Sequence, residues 1–110
     1  MKQSAELEKI YREAQTILDK RGWCQHTYES ASGQMCIAAA IRAAQNLPPN
    51  PYTNSINRVA FTEAELELVI LTESNINGSI LEDVNNFYLE TKADALGLLE
   101  LAADLAAPSP

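Results

Sequence analysis

Both cysteines, the only histidine and the only tryptophan of this 110-residue chain fall in one stretch, Arg21 to Ala44, RGWCQHTYESASGQMCIAAAIRAA. Three chemistries suit such a set. A thiol at the start of a helix is drawn toward thiolate by the helix dipole, and Cys36 opens an alanine-rich run of that kind. A cysteine nucleophile needs a base, and His26 is the one histidine to supply it. In the usual chain order of such enzymes the histidine follows the cysteine, whereas His26 precedes Cys36. A metal is the second chemistry, with Cys24, His26 and Cys36 as ligand types and Glu29 as a fourth. Structural zinc sites favour four ligands in two close pairs, a pattern this spacing lacks. The third reading is a corner between helices, with Cys36 as a small apolar residue in a tight helix contact. We expect the corner, with no catalytic residue, no metal and no cofactor. A cysteine-dependent enzyme using Cys36 with His26, and a metal-stabilised helical domain, are the alternatives.

The elements that would position these residues are helical. Leu7, Ile10, Tyr11, Ala14, Ile17 and Leu18 recur at three- and four-residue steps, an apolar stripe on a 3.6-residue period. Ser4 suits its N-cap, Glu6 and Glu8 its positive end, Lys20 and Arg21 its negative end. Gly22 supplies a left-handed stop, with Trp23 folding back on Leu18 in a Schellman ending. A polar loop over 24–33 closes at Gly33. A second helix is expected from about Gln34, apolar nearly all round and stopped by Pro48 and Pro49, with its one charge, Arg42, at the rim. After a loop over 48–60, Thr62 and Glu65 form a capping box, with Phe61 and Leu66 placed as a hydrophobic staple. A turn at NINGS leads to a second capping box, Ser79 and Glu82, opening a short helix over Ile80, Leu81 and Val84. Thr91 caps the last helix, lined by Leu96, Leu98, Leu99, Leu101 and Leu105, with Glu100 and Asp104 on the wet side. The expected fold is all-α, a single domain over residues 1–107 built as a compact bundle of four main helices plus one short helix, with 108–110 frayed.

The net charge of −7 is unevenly placed: residues 1–47 carry +1 and residues 48–110 carry −8. This balance opposes nucleic-acid binding, which requires local positive charge, and suits a protein partner with a basic surface. No apolar run approaches the roughly 20 residues of a membrane span, so no membrane is expected. The N-terminus lacks the apolar core of a secretory signal, which places the chain in the cytoplasm. Thiols are kept reduced there, so a Cys24–Cys36 disulfide is disfavoured, although it would close a short loop and stabilise by roughly 3 kcal/mol. Gly22, Gly33, Gly78 and Gly97 are too dispersed for a phosphate-binding loop.

Several short motifs stand together: Gly22-Trp23 with Gln25, Gly33 and Cys36 leading into AAAIRAA, Asn85-Asn86, and Thr91 with Asp94. In these the chain resembles a family of small bacterial and phage domains, often actinobacterial, whose function is unknown. That family's pattern runs GW, then G-x-x-C opening an alanine-rich helix, then W-N-D and a threonine-capped helix. The likeness covers about residues 7–46 and 84–106. Val84 stands where the family has tryptophan and Asn86 where it has the acid, so no role of that acid carries over. The resemblance implies that Trp23, Gln25, Cys36, Asn85 and Asn86 meet where helix ends converge. The asparagines either bond to backbone ends or line a small polar pocket that holds a peptide or small ligand.

The expected function is therefore a non-catalytic helical binding or adaptor domain, encoded by a phage or mobile element and acting on a host protein. An inhibitor of a basic host protein is one variant, and a homo-oligomer is compatible with the sequence. Its working surface is expected either at the corner, through Trp23, Gln25, His26, Tyr28, Asn85 and Asn86, or on the acidic half around Glu63, Glu67, Glu82 and Asp83.

Overall fold

Ser4 begins the first helix as expected: its hydroxyl accepts from Leu7 N at 3.2 Å, and α1 runs Ala5–Arg21. The computed structural model describes residues 1–50, 62–76 and 81–108. Leu7, Tyr11, Ala14 and Leu18 of α1 are buried, the inner part of the stripe read from the sequence. Gly22 does carry a positive φ, 91°, but its ψ of 162° sends the chain onward extended rather than back in a Schellman turn. A side chain there would be strained, and its Cβ would lie 3.1 Å from Gln34 Cγ.

The second helix starts three residues later than the expected Gln34, at Ile37. Residues 34–36 are extended and pair with the 22–24 segment and with residues 28–30, through bridges Trp23 to Met35 and Glu29 to Met35. Cys36 is the N-cap of α2, Ile37–Ala44, its sulfur accepting from Ala39 N at 3.4 Å. The stop precedes Pro48. Asn46 takes φ 60°, Leu47 N donates to Arg42 O and Asn46 N to Ala43 O, which is the paired bonding of a Schellman motif. Six consecutive residues of α2, Ile37 to Arg42, are buried, so this short helix is the centre of the core.

Arg42 is not at the rim. It is 1% exposed and its Nη1 donates to Glu65 Oε1 at 2.9 Å, while its Nε donates to Pro48 O. Glu65 also makes the expected capping pair with Thr62 at the start of α3, Glu63–Ile76. The Phe61 half of the staple, the Ser79 half of the second capping box and Ile80 of the short helix it opens lie outside the described residues. A single turn, α4, Leu81–Asp83, continues directly into a π-helical turn, Val84–Tyr88, closed by Leu89 N donating to Val84 O at 3.0 Å.

Thr91 and Asp94 form a complete capping box for α5, Lys92–Ala106. This helix runs antiparallel to α1: Ser4 N donates to Ala106 O, and at the other end Lys92 Nζ donates to Asp19 O. Its inner stripe is Ala95, Leu99, Ala102, Ala103 and Ala106. Leu101 and Leu105, expected in the core, are 45% and 41% exposed. The alanines let the two backbones approach closely, a stripe with the same period as the leucines but turned around the axis. Glu100 and Asp104 stay exposed on the wet side as expected, at the edge of the helix pair where Arg12 reaches both. The described fold is all-α around one core, with no helix long and apolar enough to cross a membrane.

Candidate functional site

The corner after α1 is organised around one buried side chain. Asn85 Oδ1 accepts from Trp23 Nε1 at 2.7 Å and from Ile37 N at 3.0 Å. Its Nδ2 donates to Cys24 O and to Asn86 Oδ1, each at 3.1 Å. Two lone pairs and two amide hydrogens are the full capacity of an asparagine side chain, and Asn85 is 0% exposed. It therefore ties the end of α1, the start of α2 and the π-helical turn to one another, and has nothing left to offer a ligand.

Gln25 does the same for the turn's open end. Its Nε2 lies 3.0–3.2 Å from the carbonyl oxygens of Asn85, Asn86 and Leu89, groups that a helix end leaves without intrahelical partners. Asn86 Oδ1 accepts a second bond, from His26 N at 2.8 Å. This fixes His26 at φ 69°, a left-handed conformation uncommon outside glycine. Trp23, Gln25, Asn85 and Asn86 are thus brought together as expected, with Trp23 Nε1, Gln25 Nε2 and the whole Asn85 amide bonded inside the fold.

What remains open lies beside them. A cavity of about 200 Å³ is walled by Tyr28, Cys36, Glu82, Asn85 and Asn86, with the exposed His26 and Thr27. Tyr28 donates its hydroxyl to Glu82 Oε1 at 3.1 Å. The His26 ring meets Phe87 edge-on, with centroids 6.2 Å apart. Phe87 is 70% exposed and Tyr88 51%. The sequence reading missed both. The signal was present as adjacent aromatics in NNFYLE, but two neighbouring aromatics read as readily as core residues. Both lie exposed on the π-helical turn.

The four acidic candidates do not form one patch. Glu63 pairs with Lys2, ahead of α1, at 2.7 Å. Glu82 bonds Tyr28 in the loop beyond its far end, and the 17 residues of α1 span about 25 Å. Glu67 and Asp83 are half-buried, one on α3 and the other on α4.

Both cysteines are free thiols, and no three His, Cys, Asp or Glu side chains among the described residues are grouped to hold a metal ion. Glu29, the suggested fourth ligand, is paired with Arg21. Burial pushes the Cys36 thiol up to about 11, against smaller lowering by the Ala39 and Ala38 amides. Burial also raises Cys24, with Glu29 adding to it. Iodoacetamide at neutral pH is therefore expected to modify Cys24 in the native protein and Cys36 only after unfolding, with alkylation speeding as pH rises. Intact mass before and after denaturant checks this, and a native Cys36 adduct would refute it.

The profile of DUF6197, a family of unknown function, matches residues 3–105, a span that includes α1, the corner, α2 and nearly all of α5. The chain belongs to this family. No curated protein and no solved structure matches it. The DUF6197 match also spans the segment between the two groups of motifs, so α3 is as much part of the family's domain as the corner.

Proposed function

We propose that this DUF6197 chain is a non-catalytic cytoplasmic binding module that recognises a protein partner through Phe87, Tyr88 and His26, beside the Tyr28–Glu82 cavity. The observation that carries the reading is the pair of exposed aromatics on a turn pinned by Gln25 and Asn85. Large aromatic side chains dominate binding energy at protein interfaces. Holding them on a fixed backbone before contact reduces the ordering cost of association. The net charge of −7 supports a partner with a basic surface, by steering the encounter rather than by contact. Against the alternative of a Cys36 nucleophile stand the buried, protonated thiol and its use as the N-cap of α2.

The test compares capture from the native host's lysate by wild type, Phe87→Ala/Tyr88→Ala and Glu63→Gln/Glu67→Gln. A partner held by this corner is expected to lose roughly 2 kcal/mol or more of binding in the aromatic variant and to be retained by the acidic one. The aromatic variant should melt with wild type, because both rings stand outside the core. Retention of the partner by the aromatic variant and loss by the acidic one would move the surface to the start of α3 and end this proposal.

A further inference from the structure

The extended residues 34–36 run between two neighbours. On one side Met35 N donates to Gly22 O at 3.0 Å and Cys24 N donates to Met35 O at 3.1 Å, pairing Trp23 with Met35 in parallel. On the other side Cys36 N donates to Tyr28 O at 3.0 Å and Ser30 N to Gln34 O at 2.8 Å. One residue along the parallel pairing, Cys24 stands beside Cys36. Neighbouring extended segments lie about 4.8 Å apart, and side chains in register on a parallel pair project to the same face. Past Met35 the Asn85 amide stands between Cys24 O and Ile37 N and widens the gap there, and a disulfide accepts roughly 4.4–6.8 Å between Cα atoms. Trp23 and Met35 share one side of the pairing, so Cys24 and Cys36, one residue on, share the other, with Cys36 buried in the core and Cys24 Sγ against Gln34 O. Their proximity is also felt electrostatically, since Cys24 contributes to the upward shift of Cys36.

We propose that Cys24 and Cys36 form a reversible disulfide site, closed by exchange with a low-molecular-weight disulfide such as oxidised glutathione. The half-exposed Cys24 loses its proton to solvent and its thiolate attacks the small disulfide. One sulfur–sulfur bond breaks, a mixed disulfide forms on Cys24, and a glutathione thiolate leaves to be protonated. Cys36 then gives up its proton and attacks the Cys24 sulfur, releasing the second glutathione. The chain loses two protons and two electrons, which reduce one oxidised glutathione to two thiols. Cys36 needs no access for a bulky reagent in this order, because its partner sulfur is delivered from the adjoining segment. Burial raises the Cys24 thiol, so the first step speeds as pH rises. The bond closes the loop that carries His26, Thr27 and Tyr28, and it fixes one wall of the cavity. The inference stands whether or not that cavity binds a partner.

The experiment incubates the folded chain with oxidised glutathione, quenches with acid and reads the intact mass. Expected are the loss of two hydrogens and of both alkylatable thiols, restored by dithiothreitol. No trypsin site lies between the cysteines, but cleavage after Glu29 separates them, so the oxidised chain should keep those two fragments joined. Its melting temperature should rise by roughly 10 °C, and Cys24→Ser should show neither change. The equilibrium against glutathione should favour the bond roughly tenfold or more in the folded chain over the same chain in urea. Glutathione retained on Cys24 with Cys36 still free, a bond between two chains, or an equilibrium no better than in urea would each overturn the proposal.

Discussion

Replacing Asn85 with alanine is expected to cost about 3 kcal/mol of stability, the largest loss from any single polar side chain at the corner. The size follows from what the substitution leaves behind. Trp23 Nε1, Ile37 N and Cys24 O each lose a partner within a site where Asn85 itself is fully buried. A buried donor or acceptor without a partner costs about 1–3 kcal/mol, and local relaxation keeps the sum near the lower end. For a domain of this size the melting temperature should fall by roughly 15 °C. Trp23 is the only tryptophan, so its fluorescence reports both the unfolding transition and the loss of the indole hydrogen bond. Asn86→Asp makes a sharp contrast. Asn86 uses only its oxygen, toward His26 N and Asn85 Nδ2, and an aspartate supplies the same acceptor. That variant should stay within about 0.5 kcal/mol of wild type. Equal losses from the two variants would mean that the corner is not organised around Asn85.

Those two asparagines also mark how far the sequence can be read. Their grouping with Trp23 and Gln25 was legible through the family resemblance, and the local start signals were legible outright. Ser4, Thr62 and Thr91 all cap their helices, since a cap is decided within four residues of chain. The direction of each bond at the corner was not legible. Whether an asparagine amide faces a ligand or a carbonyl is set by segments about sixty residues apart, such as Cys24 and Asn85. The start of α2 fails for the same reason. GQMC looks like the first turn of an alanine-rich helix, but Met35 is held extended by Gly22 on one side while Cys36 is held by Tyr28 on the other. A cysteine then takes a capping role that ordinarily falls to Ser, Thr, Asp or Asn.

The face of α5 shows a different limit. Its leucines and its alanines both repeat with helical period, and hydrophobicity alone favours the leucines for the core. Close approach of α1 selects the alanines instead, and Leu101 and Leu105 are left outside. The candidate surface is also set from a distance: Phe87 and Tyr88 lie exposed on a π-helical turn whose carbonyls are bonded by Gln25, about sixty residues earlier in the chain.

Glu65→Ala is expected to cost about 3–5 kcal/mol, because it strands the charge of Arg42 in the core. Both members of this pair are 1% exposed, and the bond at 2.9 Å ties the central helix α2 to the first turn of α3. Ionic pairing at this depth is a poor source of net stability. Desolvating two charges consumes most of the attraction between them, and Arg42 Nη2 and Glu65 Oε2 have no hydrogen-bond partner among the described residues. The double variant Arg42→Met/Glu65→Leu should therefore recover more than half of the loss. It removes both charges and keeps apolar bulk, at the expense of the Pro48 carbonyl's partner and of one arm of the Thr62 cap. Urea titration of wild type, Arg42→Met, Glu65→Leu and the double variant closes the cycle, with a coupling of roughly 2–3 kcal/mol expected between the two sites. Additive losses would mean that the pair contributes through two separate roles, α2 to Pro48 and the α3 cap, with the charge contact incidental. A strong coupling would mean that a lone arginine on an otherwise apolar helix, which looks from the sequence like a residue at the rim, is retained to fix which face of α3 meets the core.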